Sequence, residues 1–176
     1  MIMGGTARKY VTMGIIIIVV GILTLFLGAF TSAEHNIAQP LAFNHKIHIE
    51  NASLNCKDCH LNVETMARAS IPTLEVCQTC HSGEPISKSS VEKEVLRYVA
   101  EKKEIPWVQI YSVPDQVYFS HRRHVKIGGL ECSSCHGNVA ALMTSVSSQA
   151  LPVTMKNCID CHKQHKVTND CLACHH

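Results

Sequence analysis

Phe43-Asn44-His45-Lys46-Ile47-His48, followed after seven intervening residues by Cys56-Lys57-Asp58-Cys59-His60, is the stretch from which the rest of the chain can be read. Its second half sets two thiols three positions apart and puts a histidine directly after them. The pattern recurs as Cys77-Gln-Thr-Cys80-His81, Cys132-Ser-Ser-Cys135-His136, Cys158-Ile-Asp-Cys161-His162 and Cys171-Leu-Ala-Cys174-His175. All ten cysteines of the 176 residues fall in these five pairs. CxxCH is the attachment signature of c-type haem. The two thiols add to the vinyl groups of one porphyrin, and the adjacent histidine reaches the iron from the same side. Zinc ribbons and disulfides also use cysteine pairs, but neither needs a histidine after every second cysteine. Five covalently bound haems c are therefore expected, with His60, His81, His136, His162 and His175 as the proximal iron ligands.

The first half of the stretch has a copy too. Phe43, His45, His48, Cys56, Cys59, His60, Asn62 and Val63 recur 76 positions later as Phe119, His121, His124, Cys132, Cys135, His136, Asn138 and Val139. The chain thus contains a duplicated two-haem unit, about 41–81 and 117–162, with the fifth motif added at the end. A histidine pair at a fixed distance before two haem motifs reads as distal ligands, which singles out His45, His48, His121 and His124. For the fifth distal position His165 ranks first, then His176, then Met155, while His35 reads as interfacial. An iron held by two histidines has no open position for a substrate and can only pass electrons.

Composition agrees with cofactors replacing a core. After residue 30, 61 of 146 residues are apolar and ten of those are the cysteines. That leaves too few core-forming side chains for an enzyme fold with its own substrate pocket. The formal charge of +2 gives no footprint for nucleic acid. One helix is readable over 91–104, with Ser89 and Glu92 in capping-box spacing and Pro106 beyond its end. Lys46, Arg122, Arg123, Lys126 and Lys163 lie beside the ligand motifs and suit haem propionates. Residues 11–30 form an uncharged run of 20, about 30 Å as a helix, preceded by Arg8 and Lys9. The run exceeds the apolar core of a signal peptide. It reads as a transmembrane anchor within residues 1–31, with the N-terminus cytoplasmic and residues 32–176 on the periplasmic side of the inner membrane.

The Phe-x-His-x-x-His element before CxxCH resembles class III multihaem cytochromes c. That resemblance implies that His45 shares an iron with His60 and His121 with His136, the second histidine of each pair serving a neighbouring haem. The expected fold is a single transmembrane helix followed by a small, haem-packed, class III-like domain with few helices and little sheet. A wider set of stretches is similar to the pentahaem subunit of alternative complex III. They are Gln39-Pro40 through His48, Ile71-Pro72, Trp107-Val-Gln-Ile-Tyr111, Pro114-Asp115 through His121, Cys135-His136-Gly137, and Met155 before Cys158. The similarity implies a non-enzymatic electron-transfer subunit of a quinol-oxidising membrane complex that feeds a periplasmic acceptor. Its implied partners are an iron–sulfur/molybdopterin-like subunit, a polytopic quinone-binding subunit and other c-type cytochromes. In that family histidine often stands at Tyr111 and an aromatic residue at Lys156 or Asn157, so one distal ligand stays open. The alternatives are a single-span multihaem quinol dehydrogenase and the haem subunit of another molybdopterin-type quinone oxidoreductase.

Overall fold

Glycine, asparagine and serine punctuate this sequence every few residues, and the backbone answers with short helical turns. The computed structural model describes residues 5–31 and 36–176, and within the first stretch the side chains of residues 8–24. The chain divides into two units, Met1–His35 and Asn36–His176.

In the first unit, α1 runs over Gly5–Thr31. Among the described residues no helix is long and apolar enough to cross a membrane. This overturns the expected transmembrane anchor over 1–31. The single-pass placement built on it, with a cytoplasmic N-terminus and a periplasmic haem domain, falls with it. His35 lies outside the described residues.

The second unit is a run of short helices: α2 (His45–Glu50), α3 (Cys56–Cys59), α4 (Leu74–Gln78), α5 (Ser90–Glu101), α6 (Ser133–His136), α7 (Met155–Gln164) and α8 (Cys171–Cys174). A π-helical turn, Arg122–Ile127, and a 3₁₀ turn, Val139–Ala141, lie between α5 and α7. Helical segments are thus numerous and short where few were expected. Among the described residues there is no strand, and Val117 and His175 form an isolated antiparallel bridge. The apolar core among them is Leu41, Leu74 and Ile105, lined by Val91, Val95, Tyr98 and Val99 of α5 and by Trp107. Spaced at i, i+4, i+7 and i+8, these four residues of α5 share the face that packs.

Reciprocal contacts join the two copies of the repeat. Lys46 N–H donates to Leu142 O at 3.0 Å, and its counterpart Arg122 N–H donates to Met66 O at 3.1 Å. Both members of each bond differ by 76 in number. The histidine-bearing segment of each copy therefore docks on the loop after the haem motif of the other.

Candidate haem sites and the facing histidines

Each CxxCH motif is built on one helical turn. The histidine N–H donates to the first cysteine's carbonyl at 2.9 Å in Cys56–His60, Cys77–His81 and Cys171–His175, and at 3.0 Å in Cys132–His136. The motif Cys158–His162 lies inside α7. An i, i+3, i+4 spacing on such a turn puts both thiols and the imidazole on one face. Asn55, Thr154 and Asp170 cap three of these turns through their side chains, Asn55 in a reciprocal box with Asp58. All ten thiols are unpaired. Among the described residues no group of three or more His, Cys, Asp or Glu side chains converges on a point, as a zinc ribbon would require.

Histidines from distant segments face one another. Ring centroids are 6.4 Å apart for His121 and His136, 6.3 Å for His48 and His81, and 6.1 Å for His124 and His162. Two imidazoles bonded through nitrogen to opposite sides of one metal at about 2 Å place their centroids about 6 Å apart. The three gaps therefore fit an iron with two axial histidines. Ring orientation agrees. Nδ1–H donates to a backbone carbonyl in His48 (Asn44 O, 2.8 Å), His60 (Ser70 O, 3.2 Å), His121 (Ala67 O, 3.0 Å), His124 (Ser120 O, 2.8 Å) and His162 (Thr168 O). A carbonyl can only accept, so Nδ1 carries the proton and Nε2 keeps its lone pair for a metal. His45 is held down to about 4 by burial and then by His60 and His48 nearby, and its Nδ1 is buried without a partner. Burial, then His121 and His60, also lowers His136.

The phenylalanines of the repeat explain why these rings hold their places. Phe43 stacks on His48 at 4.4 Å and meets His45 edge-on at 4.7 Å; Phe119 stacks on His124 at 4.7 Å and meets His121 edge-on at 4.9 Å. One aromatic side chain thus orients two imidazoles, and the arrangement is the same in both copies. Tyr111 packs edge-on against His136 at 4.5 Å, and its hydroxyl accepts a bond from Ala150 N–H. Of the candidates for the fifth distal position, His165 caps the end of α7, His176 stacks on Tyr118 at 4.6 Å, and Met155 is 66% exposed. Neither His165 nor His175 enters a ring pair among the described residues. Lys46 and Lys126, read as propionate partners, lie 4.0 Å from Glu50 and 3.9 Å from Glu64.

The thiols record which motifs adjoin. Burial raises Cys59 and then Asp58 and Cys80 do; burial raises Cys77 and then Cys59 does. Burial and then Cys56, to which it hydrogen-bonds, raise Cys132. Cys135 is raised by burial and then by Cys161 and Cys158, and Cys158 by burial and then by Cys174. The second motif therefore neighbours the first, the first the third, the third the fourth and the fourth the fifth. The thiol pairs and the facing imidazoles suit bis-histidine haem. A family model described as cytochrome c7 and related cytochrome c matches residues 41–96 and 117–176. The chain belongs to that family. It is also 32% identical over 162 residues to the menaquinone reductase, multihaem cytochrome c subunit, of Nitratidesulfovibrio vulgaris strain Hildenborough. That alignment covers 78% of this chain and 76% of the relative. This member of the cytochrome c7 family is thus a multihaem c-type cytochrome with covalently bound c-type haem.

One residue of the site escapes a sequence reading. Glu92, spaced as the capping partner of Ser89, bonds elsewhere: its carboxylate accepts from Ile86 N–H, Ser87 N–H and His81. Ser89 caps α5 alone, through Val91 N–H. The signal that could have found Glu92 is its isolation as a buried charge on the apolar face of α5, a burial that needs a partner.

Proposed function

We propose that this cytochrome carries five haems c and is the electron-relay subunit of a quinone-linked oxidoreductase complex. The observation that carries the reading is the spacing of the facing imidazoles, which leaves no axial position for a substrate at those sites. When bound, the haems supply one-electron redox chemistry. The chain's part is to fix ligands and order. His45 with His60, His48 with His81, His121 with His136 and His124 with His162 are the axial pairs, and His175 is the proximal ligand of the fifth. His165 leads the candidates opposite His175, ahead of His176 and Met155. The thiols Cys56, Cys59, Cys77, Cys80, Cys132, Cys135, Cys158, Cys161, Cys171 and Cys174 hold the porphyrins in a row whose ends are the second and fifth motifs.

The menaquinone reductase relative supports a complex that reduces quinone. The stretches shared with the pentahaem subunit of alternative complex III support one that oxidises quinol. The similarity to alternative complex III implies an iron–sulfur/molybdopterin-like subunit and a quinone-binding subunit as partners of this chain. A short-chain menaquinol added to the purified complex should reduce its haems if quinol is the donor. Reduced haems should be reoxidised by the quinone if it is the acceptor. The isolated chain should respond to neither. Direct reduction of the isolated chain by quinol would instead make it a quinol dehydrogenase.

A further inference from the structure

We propose that Glu92 is a positioning residue for the haem of Cys77–His81: it fixes His81 through Nδ1–H and, as an ionised carboxylate, lowers the potential of that site. The proposal rests on the reading above that His81 and His48 are axial ligands.

His81 differs from the other histidines. Five ring Nδ1–H groups donate to backbone carbonyls, which are neutral. His81 Nδ1 donates to Glu92 Oε1 at 3.2 Å. Both side chains are withdrawn from water, Glu92 being 5% and His81 17% exposed. The other contacts of Glu92 decide its charge. Ile86 N–H reaches Oε1 at 2.8 Å, Ser87 N–H reaches Oε2 at 2.7 Å, and the Ser87 hydroxyl also bonds Oε2. Ser87 Oγ accepts from Ser89 N–H, so its own proton goes to Glu92. Every neighbour is a donor, and a carboxyl proton would have no acceptor to meet. The group is therefore held as an anion in a low-dielectric setting, where its field on a nearby ligand is strong.

A histidine bonded through Nδ1–H to a carboxylate is a more basic ligand than one bonded to a carbonyl. Greater basicity favours the more positive, oxidised metal, and the fixed negative charge favours it too. The two effects share a sign. Because this motif stands at one end of the row, its potential bears on exchange with whatever partner docks there.

The test uses the full holoprotein. His48→Ala first marks the site by making its haem high-spin, and potentiometric titration then follows that signal. Adding Glu92→Gln, which keeps the shape and removes the charge, should move its midpoint upward while the low-spin steps stay in place. Adding Ser87→Ala, which strips a donor and leaves the carboxylate less neutralised, should move it downward. A purely structural role would not give opposite signs. An unmoved midpoint with Glu92→Gln, or an upward shift with Ser87→Ala, would overturn the proposal. If His48→Ala yields no high-spin signal, the ligand reading has failed. The single Glu92→Gln variant then decides this proposal by whether one resolved step rises alone. If Glu92→Gln does not mature with its haems, the sign of the Ser87→Ala shift decides.

Discussion

A histidine whose Nδ1 is tied to a fixed carbonyl has one nitrogen left to offer and one direction in which to offer it. That constraint makes the residue scale informative here. His48 and His124 each bond the carbonyl four residues back and lie under the ring of a phenylalanine. In the proposed ligation their Nε2 atoms serve haems whose motifs lie 33 and 38 residues away, at His81 and His162. His124→Ala should leave a haem attached through Cys158 and Cys161 but open its sixth position. Partial high-spin character and carbon monoxide binding should appear at one haem, read by visible and EPR spectroscopy. A wholly low-spin variant would remove His124 from the ligands. The thiols and proximal histidines are legible in the sequence because CxxCH is local chemistry written in five consecutive residues. The partners of His48 and His124 are not, because they depend on how separate segments fold back. Glu92 stayed hidden for another reason: its spacing from Ser89 gave it a ready local role that the folded chain does not use.

Among the elements, α5 shows where local reading holds and where it fails. The packing face and the Ser89 cap are encoded by periodicity and spacing, and both are present. The end is not: α5 stops at Glu101, before Pro106 can act, because Lys102 takes a left-handed conformation at φ 51°. Such a conformation costs a side chain about 1 kcal/mol that glycine escapes. Lys102→Gly should therefore raise stability by up to about 0.5 kcal/mol at the C-terminus of α5, after part is lost to the freer unfolded chain. Chemical denaturation of the holoprotein would read this as a higher midpoint with an unchanged slope. The two copies of the repeat also diverge at this scale. Where the first has Ala52 the second has Gly128, and a Cβ there would stand 2.7 Å from His124 O. Glycine lets the backbone close that near, and the second copy winds as a π turn where the first is α-helical.

For the whole molecule, the core of Leu41, Leu74 and Ile105 among the described residues is far too small to offset the ordering of residues 36–176. The porphyrins must supply the missing apolar surface. Chain produced without haem maturation should show no cooperative thermal transition, whereas mature protein should, with five haems per chain by pyridine haemochrome assay. A cooperative transition in the haem-free chain would show that the polypeptide folds on its own. The reciprocal bonds, Lys46 to Leu142 and Arg122 to Met66, carry a different lesson. A contact in which each copy gives the other what it receives is isologous, the geometry by which two identical subunits close on themselves. Two separate copies of a two-haem chain would need concentration to hold that arrangement. Joined covalently, each meets the other at an effective concentration on the order of millimolar whatever the expression level. Tandem duplication therefore converts what would be a dilution-sensitive dimer into a fold whose central junction, between the first and third motifs, cannot dissociate.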